Sequence, residues 1–147
     1  MSKILQHYSI SVEMNADQKD IDFVSEHLSA DAELKANSPK NHHKLSVFAR
    51  NNEANLVGGL VADIAWGWLY ILKIWIQESH RFQGIGTQLL KTAEAEAIKY
   101  GCRYAYLDTF SFQARPLYEK LGYEVFGTLE NYPPGHKKYF MRKLLDS

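Results

Sequence analysis

The residues best placed to do chemistry lie between Ile71 and Tyr100. An apolar run ending in Ile74-Trp75-Ile76 passes through a short polar turn into Arg81-Phe82-Gln83-Gly84-Ile85-Gly86-Thr87, and an amphipathic stretch follows. A strand, a glycine loop and a helix start in that order make a site for an anion. Helix N-termini leave backbone N–H groups without partners, and the macrodipole adds partial positive charge there. Glycine has no Cβ, so a ligand can approach its backbone closely. The inference is a phosphate-bearing ligand over residues 81–87. The spacing is neither GxGxxG nor GK[ST], so a dinucleotide fingerprint and a P-loop are both excluded. The structural alternative is that Gly84 and Gly86 serve only a tight turn.

Local patterns suggest the elements that must hold this loop. Tyr8, Ile10, Val12 and Met14 alternate with polar residues, which predicts a half-buried strand. Asn15 with Gln18 resembles a capping box. Ile21, Val24 and Leu28 form a helical stripe, and Ser29-Ala30-Asp31 reads as a break before a second short helix to about Ala36. Asn37-Ser38-Pro39 closes it. Strands are expected over 44–50, 56–65 and 69–77, the last apolar on both faces as in a covered central strand. The helix after the loop places Ile85, Leu89, Leu90, Ala93 and Ala97 on one side, with Gln88, Lys91, Glu94 and Lys99 elsewhere. Gly101 ends it. A strand over 103–109 makes a parallel crossover. Ser111 can cap the next helix, which has Pro116 in its first turn and ends at Gly122. Strands over 123–127 and 138–144 complete the chain. The pattern is α/β (α+β), one domain over residues 1–147, with about seven strands and about four helices.

Composition narrows the function. Lysine plus arginine and aspartate plus glutamate number 17 each. A neutral chain lacks the basic footprint of nonspecific nucleic-acid binding, so no nucleic-acid partner is expected. The single cysteine, Cys102, forms no internal disulfide and no cysteine-based zinc site; it reads as a buried hydrophobe, and no metal is expected. The opening MSKILQHYSISVE lacks the marks of a secretory signal, which suggests the cytoplasm. Residues 56–76 are apolar enough to span a bilayer, but Asp63, Lys73 and three glycines favour a pair of buried strands over a membrane span.

A second stretch, Ala114-Arg115-Pro116-Leu117-Tyr118-Glu119-Lys120-Leu121-Gly122-Tyr123, joins the first in a wider pattern. Arg81-x-x-Gly84-x-Gly86 resembles the acetyl-CoA pyrophosphate loop of the GNAT superfamily of N-acetyltransferases. The second stretch resembles that family's A-x-x-L-Y-x-K-x-G-F segment, with tyrosine in place of the last phenylalanine. The resemblance covers essentially the whole chain. It implies a mixed sheet splayed at the fourth and fifth strands, with the pantetheine arm along Ile74, Trp75 and Ile76 as an added strand. A backbone N–H there would polarise the thioester. It implies contacts to the cofactor from Arg81, Phe82, Gln83, Gly84, Ile85, Gly86 and Thr87, with Tyr118 as general acid. Ser111 stands where many members carry an asparagine that bonds the arm; it binds the arm or only caps the helix.

The implied reaction is direct attack of a primary amine, of a small molecule or a protein amino group, on acetyl-CoA, which needs a proton acceptor. No carboxylate lies within 69–76, so the candidates are Asp63, Glu78, Asp108, His136 or water, and the sequence does not choose. The resemblance makes the break at 29–31 and the loop 131–136 walls of the acceptor side. Trp66, Trp68 and Tyr70 either line that region or pack in the core. Asp31, Glu33 and Glu130 either attract a cation or are ordinary surface acids. The acceptor is unidentified, and a homodimer is one open assembly. The competing reading is an acyl-CoA-binding module without turnover. A third, a nucleotide-binding protein using the glycine loop alone, has no second motif behind it.

Overall fold

The computed structural model describes residues 7–145; the first six residues, part of the start weighed above as a leader, lie outside them. The chain divides into two compact units, 1–39 and 40–147.

The first unit is one long helix and its lead-in. Helix α1 (Gln18–Ala36) is capped by Asp17, whose side chain accepts from the Lys19 N–H at 3.1 Å. Asn15, expected as the cap, instead takes a left-handed φ of 57°. Two expectations fail here. Ser29-Ala30-Asp31 does not break the helix, because none of the three is a glycine or proline and their helical cost is small. Residues 7–14 form no strand. Their alternating Tyr8, Ile10, Val12 and Met14 are 84–87% exposed, and period-2 patterning cannot make a strand without a ladder partner. Asn37, left-handed at φ 50°, closes the helix as expected.

The second unit holds six strands: β1 (His43–Arg50), β2 (Leu56–Ala65), β3 (Trp68–Ile76), β4 (Tyr104–Phe110), β5 (Glu124–Glu130) and β6 (Lys137–Leu144). They lie in the order β1-β2-β3-β4-β6-β5. The β3–β4 pairing is parallel and the rest antiparallel. The described residues thus hold six strands and three α-helices, one fewer of each than expected. Trp66 and Gly67, both with positive φ, turn β2 into β3.

Helix α2 (Ile85–Lys99) fills the crossover between the two parallel strands. Its Leu89, Leu90, Ala93 and Ala97 pack on Leu60, Ala62, Leu69, Ile71, Ala105, Leu107 and Met141 of the sheet. Leu60, Leu69, Leu90 and Leu107 are almost wholly buried, each worth about 1.5–3 kcal/mol. Cys102 is buried as expected, and burial pushes its thiol pKa up. No described helix is long and apolar enough to cross a membrane, and the 56–76 run is β2 and β3.

Candidate acyl-transfer cleft

The sheet opens at its centre. β3 and β4 pair only from Trp68 opposite Tyr104 to Ile71 opposite Leu107. On its other side β3 keeps its partner, with Ile74 opposite Leu60, Trp75 opposite Gly59 and Ile76 opposite Gly58. Val61 pairs with Lys73 and Ala62 with Ile71, so Leu72 is an extra residue, a β-bulge. A bulge bends its strand and increases its twist. This one sits where β3 leaves β4, and it accounts for the splay. Beyond it the expected two-sided burial of β3 fails: Leu72 and Trp75 are 41% and 55% exposed.

The splay is the mouth of a cavity of about 870 Å³. One wall is the free edge of β3, including Ile74, Trp75 and Ile76; the other is Leu107, Asp108, Thr109 and Phe110 of β4. The glycine loop closes one end through Arg81, Phe82, Gly84, Ile85, Gly86 and Thr87. Ala114, Leu117 and Tyr118 also line it. Two motifs about thirty residues apart therefore meet in one cleft. Of the expected cofactor contacts, Gln83 and Ser111 are not among its lining residues.

The loop geometry suits an anion. Gly84 is the N-cap of α2 with φ 81°, and a Cβ built there meets nothing within 4 Å. The space beside Gly84 is thus open at the start of the helix, where a phosphate would meet free backbone N–H groups. Gly86 has a different reason to be glycine. A Cβ there would lie 3.2 Å from Leu117 and 3.4 Å from Ile76, so the start of α2 packs closely against the second motif and the end of β3. Arg81 Nε donates to the Ile76 carbonyl at 3.0 Å, tying the loop to the end of β3. Phe82 has a positive φ of 64° and a fully exposed side chain, so its contribution to the cleft wall includes backbone.

Tyr118 lies on the short helix α3 (Arg115–Lys120), 5% exposed. Burial, and then the Asp108 charge, push its pKa up to about 12. It meets the Tyr123 ring edge-on at 6.2 Å. The Tyr123 hydroxyl donates to Glu94 Oε2 at 2.8 Å, and Lys143 Nζ bonds Glu94 Oε1 at 2.7 Å. The sequence pattern does not reveal this interior ion pair, because the helical period places Glu94 off the apolar face. Glu94 is 8% exposed, and its partners come from after α3 and from β6, so no local pattern could reveal it.

Ser111 neither caps α3 nor reaches the cleft. Its N–H donates to the Lys137 carbonyl at 2.8 Å and its Oγ accepts from the Lys137 N–H at 3.0 Å, so it joins the end of β4 to β6. The N-cap of α3 is Ala114. Gln113, not anticipated, brackets the end of β4: its Oε1 accepts from the Phe110 N–H at 3.0 Å and from Thr109 Oγ1 at 3.3 Å.

The four candidate bases separate by position. Asp63 is paired with His42 at 3.2 Å on the surface. Glu78 lines a second, shallower depression with Trp75, Gln77, Ser79 and Arg81. His136 meets the Phe112 ring edge-on at 5.0 Å. Asp108 alone of the four is among the residues lining the main cleft. It accepts from the Tyr70 hydroxyl at 2.8 Å and pairs with Lys138 Nζ at 3.4 Å. Burial first, then the Asp108 hydrogen bond, push the Tyr70 pKa up to about 12, so that hydroxyl remains a donor. Tyr70 stacks on Tyr106 at 4.4 Å, and Trp68 on Tyr104 at 4.8 Å. By strand register these rings share the sheet face opposite α2. Among the described residues no group of three or more His, Cys, Asp or Glu could hold a metal.

Comparison with known proteins agrees with this geometry. The family model of the GNAT acetyltransferases matches residues 12–123. The chain is 33% identical to a blasticidin-S acetyltransferase of Streptomyces morookaense over 101 residues, 68% of this chain and 74% of that protein. The crystal structure of an acetyltransferase from Bacillus cereus superposes with a TM-score of 0.79 at 30% identity, covering 92% of this chain and 98% of that one. An aminoglycoside 6'-N-acetyltransferase complexed with coenzyme A shares the fold, with a TM-score of 0.62 at 23% identity over 71% of this chain and 74% of that one. With one cleft built from both motifs and a family match over most of its length, this chain belongs to the GNAT family of acetyltransferases.

Proposed function

We propose that the protein is an N-acetyltransferase that moves the acetyl group of acetyl-CoA to the amine of a small molecule by direct attack. The observation that carries this is the cleft itself: an open strand edge, an accessible helix N-terminus and a buried tyrosine meet around one cavity. The pyrophosphate is assigned to the N–H groups of residues 84–87 and the pantetheine arm to the edge at 74–76. A small-molecule acceptor is supported by the relative named for blasticidin S.

Tyr118 is assigned to the departing sulfur. A phenol held at about 12 is a weaker acid than a thiol of about 8.5, so full transfer to the thiolate is uphill by roughly 3.5 pK units. Tyr118 therefore acts chiefly as a hydrogen-bond donor to the charge developing on sulfur, and solvent supplies the final proton. Asp108, on the cleft wall and oriented by Tyr70, is assigned to receive the proton of the attacking ammonium.

The test follows free-thiol release from acetyl-CoA across polyamines, aminoglycosides, nucleoside amines, amino acids and peptides. Amine-dependent release with an N-acetylated product is expected. Tight CoA binding with no release for any amine would refute the enzymatic reading and leave an acyl-CoA-binding module.

A further inference from the structure

Lys138, which the reaction just described does not use, is the ion-pair partner of Asp108 on the cleft wall. Its Nζ lies 3.4 Å from Asp108 Oδ1. Three rings surround the same ammonium: Tyr132 at 4.8 Å, Phe110 at 5.5 Å and Phe140 at 5.6 Å from centroid. The Lys138 side chain is 18% exposed, and its carboxylate partner 24%. Aromatic faces plus one carboxylate form a receptor for an alkylammonium, and partial desolvation strengthens it. Phe110 and Asp108 also line the acyl-transfer cleft. The cage thus shares Asp108 and Phe110 with the cleft wall, while Lys138, Tyr132 and Phe140 lie outside the cleft lining, and the chain's own lysine fills it.

We propose that Lys138 is an internal acceptor, and that the protein acetylates itself there when acetyl-CoA is bound and no external amine has displaced the side chain. The proposal rests on the acetyl-transfer reading of the cleft. The Lys138 ammonium gives one proton to Asp108, which passes it to solvent. The free Nζ adds to the thioester carbonyl, the new N–C bond forms and the C–S bond breaks. The second nitrogen proton is released as the amide forms, and the sulfur leaves as the thiol. The products are one acetamide on Lys138, one free CoA and one proton, so no other reactant is needed. The modification removes the Lys138 charge and frees Asp108 from its ion pair.

The test incubates the full chain with acetyl-CoA alone, counts acetyl groups by intact mass and maps them by peptide sequencing. One acetyl per chain is expected, on Lys138, forming roughly tenfold or more faster than on Lys99, whose side chain is 72% exposed. Lys138→Arg keeps a cation in the cage and should abolish the fast uptake. Tyr118→Phe should slow uptake at Lys138 about 10²-fold and leave uptake at Lys99 unchanged. Uptake at Lys138 no faster than at Lys99, or indifferent to Tyr118, would overturn the proposal. No acetyl on Lys138 while external amines are acetylated would overturn it and leave the proposed function standing. No transfer to any amine or to Lys138, with CoA bound, would overturn both.

Discussion

Removal of one buried oxygen atom tests the centre of the proposed chemistry. Tyr118→Phe keeps the ring that packs edge-on against Tyr123, so fold and cleft shape should persist. What is lost is the donor assigned to the leaving sulfur. Its pKa of about 12 makes complete proton transfer to a thiolate cost about 5 kcal/mol, so the hydroxyl is worth what a preorganised hydrogen bond is worth. A loss of about 2.7 kcal/mol in the transition state is a fall in kcat of about 10²-fold. The assay is thiol release at saturating acetyl-CoA, with calorimetry for CoA itself. Expected are a lower kcat, an unchanged CoA Kd and a thermal midpoint close to the parent's. The raised pKa adds a second constraint. Tyr118 keeps its proton throughout the neutral and mildly alkaline range, so no basic limb of the rate profile below about pH 10 should belong to it. A kcat within about threefold of the parent would refute the donor assignment. So would a basic limb near pH 8–9 that vanishes in the variant.

Three further outcomes follow from the same geometry. Gly84→Val places a β-branched side chain at φ 81° and in the space assigned to the pyrophosphate, so CoA affinity should fall by about 10²-fold or more in calorimetry; retained affinity would move the phosphates elsewhere. Glu94→Ala leaves the Lys143 ammonium and the Tyr123 hydroxyl without their shared carboxylate, and should cost about 3 kcal/mol, or about 10 °C in the thermal midpoint; a shift under about 2 °C would show the pair to be replaceable by water. Tyr118 and Tyr123 both have pKa values raised by burial, so above the ordinary phenol value near 10 the unfolded chain ionises while the native one holds its protons. Their contribution is intact below about pH 10 and is lost as pH climbs toward 12, at up to about 3 kcal/mol per pH unit for the two. Denaturant melts at pH 9, 10 and 11 should show stability falling only across the upper interval, and a flat series would mean the two phenols ionise without unfolding.

How much of this was legible in the sequence depends on how local each cause is. The six strands, the long helix behind the glycine loop and its apolar stripe were readable within two or three residues, because period 2, period 3.6 and glycine stops are properties of adjacent residues. The meeting of Gly84 and Tyr118 was legible only through the family resemblance, since no local rule joins residues so far apart. Ser111 misled for the opposite reason. Its type and place suit a helix cap, but its fate was settled by Lys137, which β6 brings alongside it. Glu94 likewise looked like a solvent-facing charge until Tyr123 and Lys143 supplied its partners. At the start of the chain, alternation at 8–14 described a face without providing a neighbour to pair with.

The bulge at Leu72 shows why the cleft could form from so ordinary a run of apolar residues. Seven of the nine residues of β3 are Ile, Leu or Trp, and nothing in them distinguishes the half that pairs with β4 from the half that leaves it. The distinction comes from β2. Val61 and Ala62 are adjacent, yet their partners Lys73 and Ile71 are two apart, so β3 must accommodate one residue more than its neighbour. An extra residue cannot be absorbed in a flat ladder, and the strand bends. On the β2 side the ladder resumes at once, so Ile74, Trp75 and Ile76 remain rigidly held. On the β4 side pairing ends at Ile71, and the same three residues turn an unpaired edge toward the cavity. A ligand arm carrying amides can complete that edge, and the strand that receives it is already fixed by its other partner. Preorganisation here is therefore a matter of register between two strands, one of which does not line the cleft. It follows that shortening β3 by deletion of Leu72 should restore pairing toward β4 and weaken CoA binding with every cleft side chain except Leu72 still present. Tight CoA binding by that variant would show that the splay has another cause.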